Sequence, residues 1–304
     1  MVREKTFGEY REAQIEDGDV SLSVTTLGAT VRSLRFLGEE RVLSFQTPAE
    51  YLQSPCYVGG MVGRYAGRIC GAAASIGDKK IFLIPNENEN HLHGGQFAFD
   101  KRKWEMSIES DKSVKFTLWS QDLDNGYPGN MNVSVTYTVQ NNEVRIDMEG
   151  ETDADTFFGP TSHMYFKPGD LGSALKVQLL IAADRYVKTD AEGLPLGIEA
   201  CEGVFDFKTM RPIGEDIDNC FVINGVHALC ARTDTMQLDL YTDYPGVTIY
   251  TGEKLSGAFR PNEGFAVEPM FYPDSPNHPE FPSPVLQAGK RFHKYARYVF
   301  TRRS

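Results

Sequence analysis

The sequence predicts an all-β protein, an antiparallel sandwich or barrel built as one large domain over residues 1–304. Three observations predict it. Apolar residues recur at every second position along many short runs, turn-forming clusters separate those runs, and helical periodicity is nearly absent. The 28 glycines and 16 prolines fit a chain that turns often. A doubly wound α/β fold would need regular helices between the strands, and the pattern for them is missing.

Taken in order, Leu22 and Val24 begin the alternation, and Asp17-Gly18-Asp19 is the turn before them. Pro48 to Gln53 reads as a short helix capped by Thr47, because a threonine ahead of a proline suits a helix N-terminus. Val133, Val135, Tyr137 and Val139 alternate next, followed across Asn141-Asn142 by Val144, Ile146 and Met148. The same period runs through Leu175, Val177 and Leu179, and through Met236, Leu238 and Leu240. Asp124-Asn125-Gly126 and Tyr244-Pro245-Gly246 supply further turns.

Composition excludes several functions. A net charge of −11, with no basic block longer than Lys101-Arg102-Lys103, speaks against a nucleic-acid partner, which needs clustered cations. A hydrophobic content of 41% with 24% charged residues is that of a soluble globular chain. No N-terminal segment has the apolar core of a signal peptide and no run approaches a membrane span, so no membrane partner is expected. Cys56, Cys70, Cys201, Cys220 and Cys230 are odd in number and contain no CxxC pair. They read as reduced, small buried hydrophobes of a cytoplasmic protein.

Candidate chemistry starts at FFGPTSHMYFKPGD, Phe157 to Asp170. His163 stands there among aromatics, one of only six histidines in the chain. A side chain that titrates near neutrality suits a general acid. A core histidine bonded to backbone is the alternative. Glu268 ends the apolar run Phe265-Ala266-Val267, where burial would raise its pKa towards neutrality. It is either a base or a paired structural carboxylate. Asp218, ahead of Phe221-Val222-Ile223, is placed to accept hydroxyls or to serve as a turn residue.

Upstream, GRYAGRI (Gly63 to Ile69) sets Arg64 and Arg68 four apart among small residues, where a guanidinium fork can reach a ligand oxygen. In NENENHLHGG (Asn86 to Gly95), His91 and His93 are two apart and share a face if the segment is extended. Such a pair invites a metal reading, but no cysteine or third histidine lies near, and no metal is expected. Gly94-Gly95 allows a sharp turn or the close approach of a ligand. FDKRKW (Phe99 to Trp104) and NGYPGNMNV (Asn125 to Val133) look like connections, with Trp104 a candidate to pave part of a sugar platform.

These motifs in this order closely resemble the aldose 1-epimerase (galactose mutarotase) family. The matching pieces are GRYAGRI, NHLHGG with FDKRKW, NGYPGN leading into VSVTYTV, and PTSHMYF. FDF…PIG, IDNCF, PGVTIYTG and VEPMFYPDSPNHPEFPS follow, so the match runs from roughly residue 20 to the end. The resemblance implies a large antiparallel β-sandwich, the galactose mutarotase-like supersandwich, with an open sugar cleft. It implies interconversion of the α- and β-anomers of free aldohexoses such as galactose or glucose, with no cofactor. It makes His163 the general acid and Glu268 the general base. Arg68, His93, Tyr165 and Asp218 become substrate-binding residues.

Three departures from the family pattern bear on specificity: Gly67 and Ser162 each stand where many members have an asparagine, and Thr248 where some present a glutamine. The expected partner is a small-molecule sugar, with a homodimer left open. Two alternatives share the fold. A hexose-6-phosphate epimerase would use Arg64 beside Arg68 for the phosphate, and a non-catalytic sugar-binding protein would be expected to have lost the acid or the base. A glycosidase would need two carboxylates flanking the bond, and the motifs place only Glu268.

Overall fold

The computed structural model of the protein describes residues 1–303. Two large sheets and an N-terminal five-stranded sheet form the body. The nine-stranded sheet runs Glu105–Ile108, Ser113–Ser120, Met131–Gln140, Glu143–Thr152, Arg291–Arg302, Met236–Thr242, His227–Arg232, Gln178–Ile181, Arg211–Pro212. The six-stranded sheet runs Tyr165–Phe166, Phe265–Met270, Gly246–Tyr250, Asp218–Val222, Arg185–Thr189, Pro195–Ala200. Neighbouring strands within both are antiparallel.

The alternation predicts which side chains turn inward. In Met131–Gln140, Val133, Val135, Tyr137 and Val139 are all buried while Asn132 is exposed. In the paired Glu143–Thr152, Val144, Ile146 and Met148 turn to the same side. One apolar cluster takes Leu22 and Val24 from the N-terminal sheet, Val135, Ile146 and Leu238 from the nine-stranded sheet, and Val247, Phe265 and Val267 from the six-stranded sheet. The three sheets therefore close on a shared core.

Local chemistry explains the connections. Asn141 and Asn142 both adopt positive φ, at 52° and 60°, as a tight hairpin requires. The one α-helix among the described residues is Pro48–Gln53, held by a capping box between Thr47 and Glu50. Leu175 and Val177 depart from their expected strand, which begins only at Gln178; Leu175 is the clearer case. It lies in a single 3-10 turn, Ala174–Lys176, whose start is fixed by the Leu175 amide donating to Ser173 Oγ, a local bond that competes with the ladder. Trp104 is also not a surface platform: it is buried and its indole N–H donates to the Phe99 carbonyl. Of the cysteines, Cys201, Cys220 and Cys230 are buried as expected, but Cys56 is half-buried and Cys70 exposed.

Candidate active site

The strand Phe265–Met270 carries the site because its side chains alternate. Phe265 and Val267 enter the main core. Ala266, Glu268 and Met270 face the other way: Glu268 and Met270 line an open cleft, and Ala266 packs with Tyr165 in a second apolar cluster. Across the ladder, Thr248 lies opposite Glu268, and Tyr250 and Tyr165 both lie opposite Ala266. Asp218 pairs with Tyr250 one strand further on. The sheet thus gathers its cleft residues from four strands.

His163 reaches this face from the short link between Thr161–Ser162 and Tyr165–Phe166. Its amide donates to Gly60 O at 2.9 Å, and its carbonyl accepts from the Gly59 amide at 2.8 Å. So pinned, its Nε2 lies 3.5 Å from Glu268 Oε1. Both side chains are almost fully buried, at 5% and 3% exposure. Among the described residues, His163 Nδ1 and Glu268 Oε2 have no hydrogen-bond partner, in a cleft where a buried polar atom normally has one.

Burial disfavours the charged form of each. It pushes the His163 imidazole down to about 4. It pushes the Glu268 carboxyl up to about 8, helped by the Asp218 charge and opposed by Arg68. Below about 8 and above about 4, the free pair therefore carries one proton, resting on the glutamate side.

The remaining expected residues line the same cleft: Arg68, His93, Tyr165 and Asp218 all border it with His163 and Glu268. Its volume of about 290 Å³ sits at the small end of ligand sites, which run from about 300 to 1,000 Å³. His93 accepts from the Gly67 amide through Nδ1 at 3.2 Å. That bond fixes the proton on Nε2 and leaves a donor free. Burial also holds this imidazole well below its ordinary value, keeping it neutral. Arg68 is gripped in fork geometry by Glu87, at 2.7 and 2.9 Å. Burial raises the Asp218 carboxyl, with the Arg68 charge pulling the other way.

Two sequence expectations fail here for identifiable reasons. His91 and His93 do not share a face, because His93 has φ +52° and the segment is not extended. His91 instead donates through Nδ1 to the Ile84 carbonyl and accepts from the Tyr127 hydroxyl. Gly94 serves packing rather than a ligand: a Cβ there would stand 1.7 Å from Gly63 O. Arg64 does not face the cleft. It is buried and donates to the carbonyls of Ser120, Gln121, Pro128 and Gly129 at 2.9–3.1 Å. The phosphate alternative loses its second arginine, and of the cleft cations Arg68 is already paired while Lys254 sits at the exposed rim.

Sequence reasoning missed Tyr57 and Glu87. The Tyr57 ring stacks on His163 at 5.9 Å and packs edge-on to His93 at 4.8 Å, and nothing local marks it. Glu87 lay within the quoted Asn86–Gly95 segment, and its alternation with asparagine gave no sign that it meets Arg68. One group of metal-capable donors is present among the described residues. His93, His163 and Glu268 bring one ligand atom each within 4.8 Å of one another, so any ion there would occupy the position of the proton pair.

A buried histidine and glutamate 3.5 Å apart in an open cleft also lined by an arginine, a second histidine and an aspartate form an arrangement able to move a proton on a polar ligand. The aldose 1-epimerase family model matches residues 11–299, and the chain belongs to that family. It is 30% identical to the aldose 1-epimerase of Escherichia coli over 90% of both chains. It is 29% identical to the galactose mutarotase of Mus musculus over 97% of this chain and 95% of that one. Among solved structures, an aldose epimerase homologue from C. elegans superposes with a TM-score of 0.92 at 26% identity, covering 96% of this chain and 98% of that chain. A galactose 1-epimerase from Lactobacillus acidophilus gives 0.89, also at 26% identity, covering 100% and 98%.

Proposed function

We propose that the protein interconverts the α- and β-anomers of free aldohexoses such as galactose or glucose, with His163 as acid and Glu268 as base. Its family makes it an isomerase acting on carbohydrates. The observation that carries the residue assignment is the 3.5 Å approach of His163 Nε2 to Glu268 Oε1, each with its other polar atom unpartnered.

The reaction needs one proton placed on the ring oxygen and one removed from the C1 hydroxyl. A pair that holds a single proton supplies both roles once the sugar lies between them. The proton moves to His163 as Glu268 ionises beside the C1 hydroxyl. Glu268 then takes the hydroxyl proton while His163 protonates the ring oxygen, and the C1–O5 bond breaks to give the open aldehyde. Rotation about C1–C2 presents the other face, and reversing the transfers closes the ring. Each positioned transfer is worth about 10²–10⁴ in rate. His93 Nε2–H and Arg68 donate to sugar oxygens, Asp218 accepts from hydroxyls, and Tyr165 lies against the ring of the acid. The shared core supports one domain over 1–304, and the free thiols support a cytoplasmic setting.

The test is polarimetry on freshly dissolved α-D-glucose, α-D-galactose and α-D-glucose 6-phosphate, with and without EDTA. Faster equilibration of the free hexoses, retained in EDTA, is the expected result. Activity confined to the phosphate ester, or lost in EDTA and restored by a divalent ion, would overturn the assignment.

A further inference from the structure

The run Asn86-Glu87-Asn88-Glu89-Asn90 divides its labour between its two residue types. The Asn86 side chain accepts from the Leu92 amide at 2.7 Å and donates to the Leu92 carbonyl at 3.0 Å. Glu87 and Asn90 exchange two backbone bonds, at 2.9 and 3.1 Å. Asn88 lies between them at φ +53°, a torsion asparagine tolerates better than most residues. The Asn90 side chain accepts from the Gly71 amide and donates to Glu192. The asparagines therefore fix a tight turn next to Leu92, which pairs in register with Arg68. That turn delivers Glu87 to the Arg68 guanidinium, whereas Glu89 is exposed and does not line the cleft.

Of the five N–H donors on a guanidinium, Glu87 takes one on Nε and one on Nη2 and leaves the Nη1 end. The Gly193 backbone lies against that end, since a Cβ there would stand 2.6 Å from Nη1. So held, Arg68 shares the cleft with two carboxylates to which it is not bonded, Asp218 and Glu268. Burial works against the Arg68 charge, and Glu87 is the largest of the groups that sustain it, ahead of Asp218 and Glu268. A buried cation deprived of its partner must find another. The carboxylates within its electrostatic reach are the two that the reaction uses.

We propose that Glu87 is a positioning residue: its fork keeps Arg68 turned to the sugar and off Asp218 and Glu268, so that the base stays free to exchange its proton with His163. The proposal rests on the mutarotase reading for the roles of Arg68 and Glu268, and adds the group that keeps them apart. Without the Glu87 charge, Arg68 becomes a net positive charge in the cleft and favours the ionised form of Glu268. The other groups around that carboxyl are His163 and His93, Asp218, the Tyr165 and Tyr298 phenols and the Cys220 thiol. A change at residue 87 alters none of them.

Glu87→Gln removes the charge and keeps the size of the side chain, and Glu89→Gln makes the same charge change two residues away. Two readouts are taken on each. The Glu268 carboxyl midpoint is followed by 13C NMR of protein labelled at glutamate Cδ, assigned with Glu268→Gln, and kcat/KM on D-glucose and D-galactose by polarimetry. Glu87→Gln should lower the midpoint by at least about one pH unit, as a cation brought close to a carboxyl does. Its kcat/KM at pH 7 should fall by about tenfold, part of the worth of a positioned proton transfer. Glu89→Gln should match the wild type in both. Adding Arg68→Ala to Glu87→Gln should return the midpoint to the wild-type value, because the stranded cation is gone; a merely structural role for Glu87 predicts no return. An unmoved midpoint in folded Glu87→Gln, an equal shift in Glu89→Gln, or a shift that persists without Arg68 would overturn the proposal. A wild type that accelerates neither sugar would remove the mutarotase reading, while the midpoints still decide what Glu87 does to Arg68. Glu87→Ala, which carries the same prediction, replaces the glutamine variant should that one not fold.

Discussion

Glu268→Gln should cost activity and gain stability, and the two effects have separate physical origins. Glutamine keeps the shape of the side chain but cannot take a proton, so kcat should fall by at least about 10². The stability effect comes from burial. Ionising Glu268 in the folded protein happens at about 8 rather than the ordinary 4.5. At about 1.36 kcal/mol per pH unit, a gap of roughly 3.5 corresponds to roughly 5 kcal/mol. A raised carboxyl pKa means that the folded state binds the proton more tightly than the unfolded chain. The penalty is absent below pH 4.5, grows as pH rises, and is complete above about 8. The glutamine variant carries no such penalty.

Local relaxation and water entry around the ionised carboxylate offset part of this, so a gain of about 2 kcal/mol at pH 9 is the working expectation. With an unfolding entropy of about 2.1 cal/mol/K per residue over 304 residues, that is about 3 °C in Tm. Differential scanning calorimetry of both proteins at pH 4.5 and pH 9 reads it directly. Equal Tm values at pH 9 would mean that the ionised carboxylate is not penalised by its surroundings. A kcat within tenfold of wild type in the folded variant would mean that Glu268 is not the base.

Other consequences can be checked alongside. The kcat/KM profile should be flat between about pH 4 and about pH 8. Below it the pair gains a second proton on His163, and above it Glu268 loses the last one. The limbs are thus exchanged relative to an exposed histidine and glutamate, and a single-limbed profile from pH 3 to 10 would refute the shared proton. Arg68→Ala and Asp218→Ala should raise KM with kcat held within about tenfold, since their bonds to hydroxyls are made in ground and transition states alike. A selective loss of kcat in steady-state assays would move either into the chemical step. Arg64→Ala should lower stability by about 3 kcal/mol, because it empties the space of a buried side chain and takes a donor from the carbonyls of Ser120, Gln121, Pro128 and Gly129. Thermal melts would show this, and a change in relative activity towards sugar phosphates without loss of Tm would contradict the role.

The strands were legible because a face buried on one side imposes a period of two, and Val133 to Val139 could hardly serve otherwise. Their order was not. Glu143–Thr152 pairs with Arg291–Arg302, and no local pattern marks a partner so far along the chain. His163 and Glu268 could be singled out since each interrupts an apolar context with a titratable group. Their protonation could not be read from either segment alone, because burial from several strands sets it. Arg64 and Arg68 look alike in GRYAGRI. What separates them is a set of carbonyls near residues 120–129 and a glutamate at 87, all supplied by folding. The His91/His93 misreading has a smaller cause, one backbone torsion that takes His93 out of the extended region.

The alternation along Phe265–Met270 also decides where this chain tolerates a change in length. A single residue inserted or deleted ahead of Glu268 within that strand would swap its faces. It would present a core-type side chain to the sugar and drive the carboxylate towards Val247 and Tyr298, in the apolar interior. Compensation by sliding is blocked on both sides, since Tyr165–Phe166 and Gly246–Tyr250 hold the register. The loops that shape the cleft mouth carry no such parity. Natural or engineered variation in reach and substrate range is therefore expected in the connections, by insertions of any length, while the strand bearing Glu268 admits substitutions only.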